Sequence, residues 1–206
     1  MKLVLCSILV SLAFSATAGG RTLLVLGDSL SAGYGIDPRQ GWVNLLQQRL
    51  DQAGGQWRVV NASISGDTTA GGLARLPSLL KRHRPHLVVI ELGSNDGLRG
   101  LTFKQLRANL HQMIQDAQAA GATVLLIGAR IPPNYGEIYA KAFHQVFHEV
   151  ARAETVPLVP FLLDGVAQDR ALMQADGYHP TAEAQPRLLA NVWPLLHPML
   201  SVTTPP

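Results

Sequence analysis

The stretch Thr22-Leu23-Leu24-Val25-Leu26 runs directly into Gly27-Asp28-Ser29-Leu30-Ser31, so a short apolar segment ends in a small polar loop. Four later apolar segments have the same character, and together the five predict β-strands. The predicted strands are residues 22–26, 57–61, 86–91, 123–127 and 157–160. They are apolar throughout rather than alternating, which is typical of parallel strands covered on both faces.

Longer segments with apolar residues at helical spacing separate these strands. In the clearest of them, one face carries Leu106, Leu110, Met113, Ile114 and Ala117. The predicted helices are residues 41–53, 69–82, 102–120, 135–154 and 181–200. Five strand–helix units with short loops predict a three-layer α/β/α sandwich with a five-stranded parallel sheet, doubly wound and flavodoxin-like.

The chain has 206 residues, 47% of them hydrophobic, which suits one globular domain. Its start resembles a secretory signal peptide: Lys2, an apolar run over residues 3–14, then Ala16-Thr17-Ala18. We expect a signal peptide over residues 1–18, a folded domain over 19–200 and a disordered tail over 201–206. An uncleaved anchor is the alternative, but the run is shorter than the ~20 residues that a membrane span needs. The mature protein is therefore expected to be exported, periplasmic or secreted, without stable membrane insertion.

Charge and cysteine content argue against several function classes. The formal net charge is +3, and loss of Lys2 with the signal peptide lowers it by one to +2. The basic run Lys81-Arg82-His83-Arg84 fits a solvated helix end better than a nucleic-acid surface, so no nucleic-acid partner is expected. The only cysteine, Cys6, lies in the expected signal peptide, which excludes a disulfide framework and a cysteine-based zinc site from the mature domain.

A histidine pair is the best candidate for a metal site. His144 and His148 are four residues apart on a predicted helix. A His-Glu-x-x-His motif beginning at His148 would need histidine at position 152, where Arg152 stands. We expect no metal there.

Polar residues that suit nucleophilic catalysis follow four of the predicted strands. Ser29 follows the first strand, Gly66 the second and Asn95 the third, while Asp176 and His179 come after the fifth. Because ligands bind beyond the carboxyl ends of parallel strands, these residues are expected to meet at one edge of the sheet. One turn of chain can bring Asp176 to Nδ1 of His179 and leave Nε2 facing Ser29, which is the arrangement of a serine hydrolase.

Simpler interpretations exist for each of these residues alone. Ser29 could cap a helix, Asp176 and His179 could be a surface pair, and Gly66 and Asn95 could be turn residues. A phosphate-binding loop is disfavoured, because the glycine spacing after the first strand fits neither dinucleotide-binding nor P-loop motifs. If the site were not catalytic, all of these simple explanations would have to be true at the same time. We therefore favour the catalytic interpretation.

The motifs resemble those of the SGNH (GDSL) hydrolase superfamily, in the same order along the chain. They are Gly27-Asp28-Ser29-Leu30-Ser31, Gly66, Gly93-x-Asn95-Asp96 and Asp176-x-x-His179-Pro180. Within the superfamily the chain resembles the secreted bacterial acyl-CoA thioesterase I/lysophospholipase L1/arylesterase group over nearly all of its mature length. One departure is Ser94, where that group commonly has glycine.

The resemblance implies a Ser29–His179–Asp176 triad that forms a covalent acyl-enzyme. It implies an oxyanion hole made by the N–H groups of Ser29 and Gly66 and the side-chain amide of Asn95. It further implies a monomer that needs no cofactor and acts on small-molecule acyl esters, thioesters or lysophospholipids. A small-ester or carbohydrate deacetylase, and a non-catalytic periplasmic ligand-binding protein, remain as alternatives.

The loops beside these residues are predicted to hold the substrate. In related enzymes the segment 96–101 is a mobile flap on the acyl chain, and we expect the same here, because Gly97 and Gly100 bracket Leu98 and Arg99. The predicted substrate-binding residues are Asp96, Gly97, Leu98, Arg99, Leu101, Ile131, Pro132 and Tyr135.

Overall fold

A computed structural model describes residues 20–201 and contains one five-stranded parallel sheet. The order of strands across the sheet is β2-β1-β3-β4-β5. β2 follows β1 in the chain and lies at the edge of the sheet on one side of β1, whereas β3 pairs with β1 on its other side. The strand order therefore reverses between β1 and β3. The strands are β1 (Arg21–Gly27), β2 (Trp57–Asn61), β3 (Leu87–Glu91), β4 (Thr123–Ile127) and β5 (Leu158–Val159).

Helices cover both faces of the sheet. One core joins apolar residues of α3, α5 and α6 to the sheet, and a second core joins those of α2 and α7 to the opposite face. The helices are α1 (Ser29–Ala32), α2 (Trp42–Gln52), α3 (Thr69–His83), α4 (Ser94–Leu98), α5 (Phe103–Ala119), α6 (Glu137–Ala153) and α7 (Gln185–Ser201). The prediction of a three-layer, flavodoxin-like sandwich is confirmed.

The two cores explain why the central strands are apolar at every position. In β1, Leu24 and Leu26 face the first core, while Leu23 and Val25 face the second. Each fully buried aliphatic side chain of this kind contributes about 1.5–3 kcal/mol relative to an exposed one. This packing holds the carboxyl ends of β1 and β3 rigidly side by side.

Four local predictions differ from the structure. Strand β2 is not buried throughout, because it lies at the sheet edge, where Arg58 and Asn61 are exposed. The predicted strand 157–160 is reduced to the two residues of β5, and the helix predicted from position 181 begins at Gln185. Ser201 ends α7 instead of starting a disordered tail.

The expected signal peptide and residues 202–206 lie outside the described residues. Within residues 20–201, no helix combines the length and the apolar character that crossing a membrane would require.

Candidate active site

The turn that carries Ser29 is built by the residues around it. The side chain of Asp28 caps α1 by accepting the N–H of Leu30 at 3.1 Å, so Asp28 rather than Ser29 is the helix cap. Helix α1 ends after one turn at Gly33, whose φ of 75° favours glycine. The short helix therefore presents Ser29 at the carboxyl end of β1.

His179 connects Ser29 to Asp176 through its two ring nitrogens. Nε2 lies 2.8 Å from the Ser29 hydroxyl oxygen, and Nδ1 lies 2.6 Å from Asp176 Oδ2. The other oxygen of Asp176 accepts the backbone N–H groups of Tyr178 and His179 at 2.9 and 3.0 Å. This single turn explains why the carboxylate precedes the histidine by three residues.

Asp176 is held in its ionised form. Burial opposes ionisation, but the hydrogen bonds from the His179 ring and from the N–H groups of Tyr178 and His179 outweigh it. They lower the pKa of Asp176 to about 2. The carboxylate is therefore ionised at neutral pH and favours a proton on Nδ1, which leaves Nε2 free to accept one from Ser29.

Tyr34 is a neighbour of the site that the sequence did not indicate. Its ring centroid lies 4.4 Å from that of His179, and the ring is about half exposed. An aromatic residue in a glycine-rich segment was the one available clue. This contact limits the movement of the imidazole on the solvent side.

Two backbone N–H groups of the predicted oxyanion hole have no hydrogen-bond partner in the part of the chain that the structure describes. Gly66 has a φ of 80°, a left-handed conformation that a side chain would strain. Among the described residues, no hydrogen-bond acceptor occurs for the N–H of Ser29 or of Gly66. Gly66 is also held through its carbonyl oxygen, which accepts the Arg99 guanidinium at 2.8 Å. Both N–H groups are free to receive a negative oxygen.

The Asn95 amide lies between Asp28 and the loop of Gly66. Its Nδ2 donates to Asp28 Oδ2 at 3.1 Å and to the carbonyl oxygen of Asp67 at 2.9 Å. Asn95 lies in the short helix α4 and not in the turn that the simpler interpretation of this residue would give. Both amide protons are engaged, so a substrate oxyanion would have to take over one of these bonds.

An apolar cleft of about 600 Å³ opens beside Ser29 and His179. Three of the predicted substrate-binding residues line it: Leu98, Ile131 and Pro132. Ser94, the departure noted in the sequence, lines it as well.

The other five predicted substrate-binding residues lie outside the cleft lining. Asp96 is buried and accepts the N–H and hydroxyl of Thr69, and Gly97 packs against Phe143. Arg99 contacts Gly66, while Leu101 and Tyr135 are partly exposed.

The far wall of the cleft was not predicted. It comes from the connection between β5 and α7, which has no regular periodicity. The apolar segment that continues past the predicted fifth strand was the available clue. The residues of this wall are Phe161, Leu162, Leu163, Ala167 and Met173.

His144 and His148 lie together on α6. Their Nε2 atoms are 3.2 Å apart, and Nδ1 of His144 lies 3.1 Å from the carbonyl oxygen of Ala129. Across residues 20–201 no group of three or more histidine, cysteine, aspartate or glutamate side chains is arranged to hold a metal ion.

Comparison with known proteins assigns the family. Residues 25–186 match the model of the GDSL-like lipase/acylhydrolase family. Esterase TesA from Pseudomonas aeruginosa is 60% identical over 183 residues, which are 89% of this chain and 91% of the relative. Thioesterase 1/protease 1/lysophospholipase L1 from Escherichia coli is 46% identical over 193 residues, 94% of this chain and 91% of the relative. The crystal structure of the psychrotrophic esterase EstA from Pseudoalteromonas sp. superimposes with a TM-score of 0.84 at 40% identity, covering 88% of this chain and 100% of that one. The chain belongs to the GDSL-like lipase/acylhydrolase family.

Proposed function

We propose that this protein is a serine esterase and thioesterase that hydrolyses acyl esters, acyl thioesters and lysophospholipids through a covalent acyl-enzyme on Ser29. The observation that carries the proposal is the continuous hydrogen-bonded chain from Ser29 through His179 to Asp176 at the wall of an apolar cleft. The names of the relatives, esterase and thioesterase/lysophospholipase, support the same reaction class.

In the first half of the reaction Ser29 attacks the carbonyl carbon of the substrate. Nε2 of His179 accepts the hydroxyl proton, and the ionised Asp176 stabilises the imidazolium that forms. When the tetrahedral intermediate collapses, His179 returns this proton to the leaving alcohol or thiol. The acyl group then remains bonded to Ser29.

The negative oxygen of the intermediate is received by the oxyanion hole. The N–H groups of Ser29 and Gly66 are available, and Asn95 supplies a third donor by releasing Asp28 or the Asp67 carbonyl. Such donors act most strongly where charge develops in the transition state. In the second half of the reaction, water replaces the alcohol, His179 again acts as base, and the fatty acid is released.

The cleft lining favours acyl chains over sugars. The lining is mainly apolar and includes Leu98, Ile131, Pro132, Phe161 and Leu163, with fewer polar side chains such as those of Arg130 and Gln168. Such a surface suits an acyl chain better than a sugar, whose many hydroxyl groups need hydrogen-bond partners. This supports a lipid-like substrate over a carbohydrate deacetylase. The short contacts of His179 support turnover over ligand binding alone.

Export belongs to the same proposal. We propose that residues 1–18 direct the chain out of the cytoplasm, that the mature protein begins at Gly19, and that it acts as a monomer. The presence of the protein in a periplasmic fraction, its N-terminal residue by mass spectrometry and its size in solution test these three statements.

The function is tested with p-nitrophenyl esters from acetyl to dodecanoyl. Wild-type protein should hydrolyse medium and long chains better than acetate, and Ser29→Ala should lose at least about 10³-fold in kcat. Ser78→Ala, which changes an exposed serine on α3, is the matched control and should keep full activity. A sharp preference for acetate would favour the deacetylase, and turnover that is insensitive to Ser29→Ala would refute the proposal.

A further inference from the structure

A second carboxyl group, Glu91, lies buried beneath the turn that carries Ser29. It ends β3 and is 3% exposed. Its Oε2 atom accepts the Ser31 hydroxyl at 2.6 Å and the backbone N–H of Asp28 at 3.4 Å. A methyl group on Gly27 would lie 2.8 Å from the same oxygen, so the backbone of the turn packs directly against the Glu91 carboxyl.

Glu91 shares its surroundings with Asp28, which is 1% exposed. None of the ion pairs within residues 20–201 includes either carboxyl. On α3, Arg75 is bonded instead to Asp67 and to the carbonyl oxygen of Gly27. Two buried carboxylates without a cation repel each other strongly, so the pair holds a single negative charge.

The hydrogen bonds indicate where that charge resides. Asp28 accepts the N–H of Leu30 and the amide of Asn95, and the charge of His179 also favours its ionised form. Burial, the largest effect, nevertheless raises the pKa of Asp28 to about 6. Burial and then the charge of Asp28 raise the pKa of Glu91 well above its usual range. Of the two carboxyl groups, Glu91 is therefore the one that retains the shared proton.

We propose that Glu91 is a positioning residue that works as a neutral acid: it retains its proton, supports the turn from Gly27 to Ser31, and leaves the single negative charge of the pair on Asp28. Asp28 then holds the Asn95 amide beside Ser29. The effect on the reaction rests on the proposed function, whereas the state of the carboxyl pair does not.

Two variants of Glu91 separate the effect of its charge from the effect of its hydrogen bonds. Glu91→Gln keeps the shape, the acceptor oxygen and the absence of charge. Glu91→Ala leaves the Ser31 hydroxyl and the Asp28 N–H without a partner, so the turn can shift. A misplacement of about 1 Å at a nucleophile can cost about 10²-fold in rate.

The first test is steady-state hydrolysis of p-nitrophenyl butyrate by both variants. Glu91→Gln should keep at least about a third of the wild-type kcat, and Glu91→Ala should lose about 10–100-fold in kcat with KM nearly unchanged. The decline of wild-type kcat at high pH that comes from ionisation of Glu91 should be absent in Glu91→Gln. An equal loss of kcat in both variants would mean that Glu91 acts as an anion. A wild-type kcat in Glu91→Ala would mean that Glu91 does not position the turn. Either result overturns the proposal.

The second test is thermal unfolding against pH, and it does not require activity. Because the folded-state pKa of Glu91 lies above 4.5, the folded protein binds the proton more tightly than the unfolded chain. The contribution of Glu91 to the stability of the wild-type protein therefore falls as the pH rises from about 4.5 towards the folded-state pKa. The Tm of Glu91→Gln minus that of wild type should grow by about 2–4 °C between pH 5 and pH 8. A constant difference would overturn the proposal even if Glu91→Ala fails to fold, and it would leave the esterase function untouched.

Discussion

Replacing Asp176 by asparagine tests how the triad sets the tautomer of His179. One oxygen of Asp176 accepts two backbone N–H groups, and the other accepts Nδ1 of His179. In Asp176→Asn the single oxygen is needed by the two backbone donors, so the amide NH₂ faces Nδ1. Nδ1 must then be the acceptor, the proton moves to Nε2, and Nε2 loses its ability to accept the proton of Ser29.

The expected loss in kcat for p-nitrophenyl butyrate is about 10³–10⁴-fold, or about 4–5.5 kcal/mol in the barrier. KM should change little. The fold should survive, because the side chain is 39% exposed and the turn keeps both backbone bonds. Asp176→Ala removes both the amide that would impose the wrong His179 tautomer and the hydrogen bonds that Asp176 accepts in the turn. It serves as the comparison for stability.

The pH dependence of unfolding gives Asp176→Asn its own control. The folded-state pKa of Asp176 lies below 3.8, so its contribution to stability is present above pH 4 and lost as pH falls towards about 2. The Tm difference between wild type and Asp176→Asn should shrink over that range. An Asp176→Asn enzyme within tenfold of wild-type kcat would refute the tautomer argument.

Two further substitutions probe the neighbouring loops. Asn95→Ala should lower kcat by about 10²–10³-fold with a smaller change in KM, because the Asn95 amide donates to the oxyanion that develops in the transition state. A loss of affinity for a product fatty acid as large as the loss of kcat would contradict this. Gly97→Ala should cost about 1–3 kcal/mol in the free energy of unfolding, because the new methyl group would lie 2.6 Å from Phe143 and 2.8 Å from Ile131. The flap hypothesis is better tested at Gly100, where an added methyl group would meet nothing within 4 Å, while the φ of 66° disfavours alanine and so perturbs the backbone of the loop alone: Gly100→Ala should alter dodecanoyl turnover more than acetyl turnover, and equal changes would count against a flap.

The layers of the fold could be predicted because its central strands are buried on both faces. Every residue of β3 is buried, and its four consecutive apolar residues before Glu91 indicate a covered parallel strand. The convergence of Ser29 and His179 also followed, since both come after strands at the same edge. The limits of β5 could not be predicted, because only two of its residues pair with β4.

The finer parts of the site depend on contacts between distant segments. A glutamate at the end of a strand, such as Glu91, usually indicates a solvent-exposed end, and only tertiary packing against Asp28 shows that it is buried. The double engagement of Asn95 and the cleft wall around Phe161 likewise arise from loops whose paths no local pattern specifies.

The central claim is that Ser29 is the nucleophile, and covalent labelling tests it directly. Wild-type protein is incubated with diethyl p-nitrophenyl phosphate, a reagent that phosphorylates activated serines, and the product is analysed by intact and peptide mass spectrometry. We expect one diethylphosphoryl group per chain, located on Ser29, with activity lost in proportion and no labelling of Ser29→Ala. Inactivation with the label on another residue, or full activity in the Ser29→Ala protein, would contradict it.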